Sequence, residues 1–270
     1  MTGISAKVVE DSIAPSGIRL TTMQLRYPRF IHAEFMTHRV FSRNASSSRA
    51  IPVSKMLEQV WNDPAAPIHW GANQPGMQAN TELKGWRRSV AQGIWRWSGR
   101  MMCGFVWAGM KLGMHKQTAN RLLEPWQFIH VIVSATEWDN FFALRDHKDA
   151  QPEIRALAIV MREAMKASSP RLLGMGEWHL PYVTNAERRD FDPALLVKLS
   201  AARCARVSYL THDGQAPSLE KDLDLYDRLV GSVPLHASPI EHQGTPLHFA
   251  TWSGNFRGWT QYRKLVEQEM

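Results

Sequence analysis

The chain has 270 residues, 44% of them hydrophobic, with 11 Trp, 10 Phe and 5 Tyr, and a net charge of +7 from 32 Lys and Arg against 25 Asp and Glu. That apolar content excludes a disordered chain, no apolar run approaches the roughly 20 residues of a membrane span, and the N-terminus carries no signal-peptide pattern. Two cysteines, Cys103 and Cys204, exclude a disulfide framework or Cys-rich zinc site and fit a reducing, cytoplasmic setting. The basic balance favours polyanionic or phosphorylated partners, but charge alone does not separate them from an ordinary solvated surface.

Residues 5–30 read as a β-hairpin. Two β-compatible runs flank the turn residues Ala14, Pro15, Ser16 and Gly17. Pro28 suits the first turn of a helix through residues 30–36. The Ser-rich stretch 42–52 lacks periodicity and reads as a loop, after which Ser54 is placed to cap a short helix. Residues 62–80 are rich in Pro, Gly and Asn and read as an exposed connection.

A long helix follows, with Thr81 as cap. Its apolar positions Leu83, Trp86, Val90, Ile94, Trp97, Met101 and Phe105 recur at helical spacing and predict a packing face. Gly113 should end it, and a second helix over 115–124 should stop before Pro125. Residues 126–135 form a continuous apolar strand, with Thr136 as cap for the next helix. Pro152 opens a helix with Ile154, Leu157, Met161 and Met165 on one face. Asp192 and Pro193 form a cap and first turn, Ser218 caps another helix and Gly231 ends it. Residues 246–252 fit a strand and the tail a short helix. The class is α+β, a mixed β-sheet with long helices, read as a single domain over 1–270 with 62–114 as a helical insertion or divergent region.

Standard catalytic patterns are missing. There is no Walker loop and no GxSxG elbow, and Gly174–Met175–Gly176 lacks the third glycine of a dinucleotide fingerprint. His236 and the Glu241–His242 pair are not spaced as metal ligands on one helical face, so no metal is expected. Cys103 reads as a packed thiol; Cys204 has two arginines nearby but no base partner. What stands out is the block Thr37–Arg49, with three arginines, a histidine and four serines in thirteen residues. Hydroxyls and loop amides donate to phosphate oxygens and guanidinium forks grip them, whereas the bland alternative is a solvated basic loop.

That block resembles the signature of the flavin-dependent thymidylate synthases, R-H-R-x-x-S-x-N-x-x-S-x-R, matching at His38, Arg39, Ser42, Asn44, Ser47 and Arg49. The segment around Arg121 resembles the family's phosphate-binding arginine segment. Residues 134–158 resemble its C-terminal helical region at Asn140, Leu144, Arg145, Ala150, Gln151, Glu153 and Ile154. Two more family motifs occur out of order: residues 201–210 resemble A-A-R-V-S-Y and 235–242 resemble H-x-S/T-P-x-E-H. In the family both precede the signature, so the resemblance implies a circularly permuted chain.

The resemblance further implies a homotetramer with no membrane association, whose partner is a pyrimidine deoxynucleotide monophosphate. The implied reaction is C5 methylation of dUMP to dTMP with FAD, 5,10-methylenetetrahydrofolate and NADPH. It assigns Arg145 to the developing pyrimidine anion, Glu34 to the substrate, and Ser47, Ser48, Arg49 and Arg121 to the phosphate. His38, Arg39, Ser42, Asn44, Asn140, Ser208, His236 and Ser238 match flavin-binding positions. Thr37 replaces the first arginine of the signature, Ala45 a glutamate and Glu34 a glutamine; Ser134 and Thr136 replace an Asn and an Arg near the flavin. These exchanges imply rearranged contacts and leave dCMP as substrate, or a hydroxymethylated product, as the alternative. A third reading is a nucleic-acid-binding protein using Lys84, Arg87, Arg88, Arg96 and Arg100 interleaved with Trp86, Trp95 and Trp97. The helical spacing and the motif set weigh against it, so nucleic acid is not expected as a partner.

Overall fold

The computed structural model describes residues 3–207 and 218–269. The hairpin of strands β1 (Ser5–Ile13) and β2 (Arg19–Pro28) forms as expected, closed by a turn in which Gly17 takes a φ of +81°. Strand β4 (Phe128–Ala135) lies antiparallel to β2, with Thr21 opposite Ala135 and Pro28 opposite Phe128. Residues 42–45, read from sequence as loop, instead form strand β3 on the far edge of β4, Ser42 opposite Ser134 and Ala45 opposite Val131. The tetrapeptide Ser-Arg-Asn-Ala carries no strand signal of its own; the free edge of β4 supplies the pairing. A two-residue strand β5 (Arg171–Leu172) runs parallel to β1, and the sheet order is β3-β4-β2-β1-β5.

The two faces of this sheet differ in chemistry because side chains alternate along each strand. Val131, Val133 and Ala135 of β4, with Met23, Leu25 and Tyr27 of β2, face one way. They form the main core with Ile154, Leu157, Ala158 and Met161 of helix α6 (Pro152–Ala167). Burial of such side chains contributes about 1.5–3 kcal/mol each relative to exposure. The opposite face holds Ile132, Ser134 and Thr22. It is covered by helix α8 (Pro193–Arg206), whose Cys204 packs with Val207 against Ile132. Asp192 caps α8 by accepting from the Leu195 amide at 3.0 Å, and Ser218 caps α9 (Leu219–Val230), which Gly231 ends, all as the sequence indicates.

Several sequence-assigned helix starts are displaced. A 3-10 turn (Arg29–Ile31) leads into a one-turn helix α1 (His32–Phe35). Helix α2 (Val53–Asn62) begins before Ser54, which therefore does not cap it. Helix α3 (Gly85–Lys111) begins after Thr81, with Lys84 at its N-cap and no side-chain cap bond. After Gly113, at φ +87°, comes the short α4 (Lys116–Ala119). A 3-10 helix (Asn120–Trp126) then runs through Pro125 rather than stopping before it. Thr136 accepts from the Arg257 amide at 3.0 Å and does not cap α5 (Asp139–Arg145). Helix α7 (Glu187–Asp190) is a single turn. Beyond α9, a 3-10 turn (Ser238–Glu241) precedes strand β6 (Gly244–Pro246), which pairs with β9 (Trp259–Gln261). A small ribbon, β7 (Trp252–Ser253) and β8 (Phe256–Arg257), and helix α10 (Tyr262–Glu269) complete the described residues; 247–251, expected as part of a strand, are irregular.

The largest departure concerns α3. The predicted packing face is the solvent face: Trp86, Ile94, Trp97, Met101 and Phe105 are all more than 60% exposed. The buried positions are Gly99, Cys103, Val106 and Gly109, against α2 and the 3-10 helix at 120–126. Gly99 permits that contact, since a Cβ there would lie 3.0 Å from the Trp126 ring. The core side of α3 thus uses small residues for close approach, and the large apolar residues are left outward. Residue size, not periodicity, misled the reading.

Candidate active site

The signature block runs from the end of α1 into β3. Thr37 donates its hydroxyl to the Glu34 carbonyl at 2.7 Å and closes α1. Arg43 then donates to the carbonyls of Met36 (3.0 Å) and His38 (2.9 Å), fixing the turn between. Behind it, Phe35, Phe41, Phe141 and Trp138 form an aromatic cluster, and His38 meets the Phe141 ring edge-on at 4.9 Å. Because Phe141 belongs to α5, this packing brings the last turn of α5 to the signature.

Arg145 stands in that last turn, where a cation is favoured by the helix dipole. Its Nε donates to Nε2 of His38 at 2.9 Å, its Nη1 pairs with Glu34 and its Nη2 lies 3.4 Å from the Thr37 hydroxyl. Burial, then the Arg145 and Arg43 charges, push the His38 pKa down to about 4. The imidazole is therefore neutral near pH 7. Since guanidinium only donates, Nε2 is the acceptor and the proton sits on Nδ1. Glu34 and Arg145 line an open cleft of about 1890 Å³ that also reaches Leu144, Gln151 and Trp95.

A second cluster lies at the end of β3. Ser47 accepts from the Arg49 amide at 3.3 Å, shaping a turn. Asn120, fully buried, donates to the carbonyls of Ser48 (2.7 Å) and Ile51 (2.9 Å). This ties the loop after β3 to the backbone immediately before Arg121. Arg49 and Arg121 are both exposed, and neither has a carboxylate partner among the described residues. Asn120 was missed in the sequence reading; one buried asparagine beside an arginine gives no pattern to find.

The remaining assigned residues divide. Arg39, Asn140 and His236 are exposed, with side chains uncommitted among the described residues. Ser238 is half-buried at the start of the 3-10 turn that packs against β3. Ser42 and Asn44 are buried and engaged: Ser42 accepts from Gln261 (2.8 Å) and Asn255 (3.3 Å), and Asn44 donates to the Cys204 carbonyl at 2.9 Å. Ser208 lies outside the described residues.

On the same sheet face a polar chain runs Ser12–His179–Thr22–Ser134–His242, with contacts of 2.9, 2.8, 2.6 and 2.9 Å. Burial pushes His242 down to about 3 and His179 well below its ordinary value, so both imidazoles are neutral. Nε2 of His242 is buried without a partner. Of this chain only Ser134 and His242 drew notice in the sequence, because nothing local marks the others. Glu241 pairs with Arg263, and no three His, Cys, Asp or Glu side chains converge as metal ligands among the described residues. Burial pushes the Cys204 thiol up, away from the thiolate a nucleophile requires.

The family model described as thymidylate synthase complementing protein matches residues 19–171, more than half of the chain, and spans β2, the signature, α3 and the Arg145 helix. The chain belongs to this family. No curated relative matches. Among solved structures, a UMP/dUMP methylase, PolB from Streptomyces cacaoi bound with 5-Br dUMP, is similar with a TM-score of 0.50. The match has 14% identity and covers 61% of this chain and 90% of that one. A thymidylate synthase X from Helicobacter pylori with FAD and dUMP matches at a TM-score of 0.37 and 14% identity, over 54% of this chain and 67% of that one. At these identities the PolB likeness shows a shared thymidylate synthase-complementing fold. No helix among the described residues is long and apolar enough to cross a membrane.

Proposed function

We propose that this chain catalyses flavin-dependent C5 methylation of a pyrimidine nucleotide, dUMP to dTMP with methylenetetrahydrofolate as carbon donor and NADPH as electron donor. The observation that carries the reading is the meeting of Arg145 with His38 and Glu34, residues more than a hundred positions apart that the family resemblance assigns to one site. Family membership and the UMP/dUMP methylase likeness agree with it.

The donor set fits FAD: an uncommitted guanidinium at Arg39 for a pyrophosphate, an amide at Asn140, imidazoles at His236 and His242, and the Ser42 hydroxyl, which accepts two amides and keeps its own proton to give. When bound, reduced FAD supplies the hydride. The chain's own work is electrostatic and positional. Making pyrimidine C5 nucleophilic builds negative charge along the N3–O4 edge, and the Arg145 guanidinium lowers the barrier by stabilising it. His38 holds Arg145 without competing for charge, because it is neutral. Arg49, Arg121 and the Ser47–Ser48 turn hold the phosphate, with Asn120 fixing their relative position.

A second reading, cytosine as the base or a hydroxymethylated product, is favoured by Glu34. Its carboxylate replaces a neutral amide of the family and would accept from the N4 amino group of cytosine. Product mass spectrometry with dUMP and dCMP separates the two. A gain of one CH2 on dUMP supports the first reading, and product from dCMP alone supports the second.

Residues 1–270 are read as one cytoplasmic domain, permuted relative to its family. Of the segments expected to precede the signature, 201–210 and 235–242, Cys204 and His242 contact β3 and β4 through the Asn44–Cys204 and Ser134–His242 bonds. A homotetramer is supported by the outward apolar stripe of α3, where Trp86, Ile94, Trp97, Met101 and Phe105 are exposed, since contiguous exposed apolar residues mark interaction surfaces. Sedimentation as a monomer would contradict it.

A further inference from the structure

A second cavity, of about 720 Å³, opens on the far side of the segment 67–70, between α3 and the end of α2. Its volume is that of a small-molecule site. One wall is a row of Arg88, Gln92, Arg96 and Arg100, four residues apart on α3, so that successive groups rise by about 6 Å along the helix. The lining also includes the indoles of Trp61 and Trp70, with Ile68 and Phe128.

The charge here is unbalanced. Arg88 has Glu82 at 3.3 Å, and Asp63, the one acidic lining residue, is already paired with Arg26 at 2.5 Å. Arg96 and Arg100 have no carboxylate partner among the described residues. The Arg100 guanidinium instead lies 5.4 Å from the centre of the Trp61 ring and 5.6 Å from that of Trp97. Counting Arg26 and Glu82 with the lining, the cavity carries two uncompensated positive charges. Two adjacent guanidinium forks beside half-exposed indoles match a ligand with a planar ring and at least two anionic groups. Ile68 also lines the cleft of Arg145, but Arg96, Arg100, Trp61 and Trp70 line neither that cleft nor the Arg49–Arg121 cluster.

We propose that this cavity binds a nucleoside di- or triphosphate, its phosphates on Arg96 and Arg100 and its base against Trp61 or Trp70, as a site separate from the reaction centre. The site does not depend on the reaction assigned above. Equilibrium dialysis of the full chain with dTTP, and with inorganic tripolyphosphate as the ring-free probe, tests it. Saturable dTTP binding is expected, weakened about tenfold or more by R96A/R100A, weakened less by W61A, and unchanged by R145A. Tripolyphosphate should bind more weakly than dTTP. The guanidiniums are exposed, so folding should survive; R96Q/R100Q, which keeps side-chain polarity, provides a second variant with the same expected loss. Absence of saturable dTTP binding, full affinity in both arginine variants, equal binding of tripolyphosphate, or loss of binding in R145A would each overturn the proposal. R145A turnover and dTTP affinity are separate readouts, so failure of this site and failure of the assigned reaction are distinguishable.

Discussion

Arg145 donates from Nε to the neutral Nε2 of His38 at 2.9 Å. A histidine here serves as a fixed acceptor that orients a cation, rather than as an acid or base. Arg145→Ala should lower kcat by about a hundredfold or more, the usual cost of removing one transition-state donor. His38→Ala should lower kcat through misplaced Arg145 with a smaller change in KM, and His38→Gln, which can still accept, should restore part of it. Since the His38 pKa lies near 4, the pH profile of kcat/KM should show no histidine step between about pH 5 and 8. A step near pH 6.5 that disappears in His38→Gln would contradict this assignment.

Glu34 pairs with the same guanidinium and neutralises part of its charge. Glu34→Gln frees Arg145 while keeping an acceptor for the base. With dUMP, turnover should be retained or raised; with a cytosine substrate it should fall, because the carboxylate acceptor for the amino group is gone. Steady-state kinetics on both nucleotides checks the sign.

Asn120 spans from the 3-10 helix of Arg121 to two carbonyls of the serine loop. Asn120→Ala removes both bonds inside a buried site, at a cost of about 2 kcal/mol in stability. If the loop holds the phosphate, KM for the nucleotide should rise more than kcat falls. Denaturant titration with parallel kinetics checks both effects.

His32 and His38 are held near pKa 4 and His242 near 3, each chiefly by burial. Unfolded histidine titrates near 6.5, so the unfolded chain binds more protons between about pH 4 and 6.5. Stability is therefore full above about 6.5 and falls as pH drops towards 4. For the fully buried His242 each pH step of one within that window costs about 1.4 kcal/mol, and less for the partly solvated His32 and His38. Denaturation midpoints measured from pH 7 to 4 should decline; a flat profile would contradict the neutral, buried imidazoles.

What the sequence disclosed followed the range of its interactions. The hairpin, β4, α6 and the capped starts of α8 and α9 rest on local turn chemistry and periodicity, and they were legible. Strand β3 was not, because Ser42–Ala45 becomes a strand only by pairing with residues ninety positions away. The orientation of α3 was inverted because glycine and cysteine, not tryptophan, allow the close approach to Trp126. The signature and Arg145 were named from motif resemblance. Asn120, Thr22 and His179 escaped because each is a single polar residue whose partner lies far along the sequence.

The central claim is that this chain uses a flavin to act on a pyrimidine nucleotide. The most direct test is the absorbance spectrum of the purified protein, reconstituted with FAD, before and after NADPH and with dUMP. The account predicts an oxidised-flavin band that bleaches on reduction and shifts when dUMP binds. Colourless protein that cannot take up FAD would contradict it.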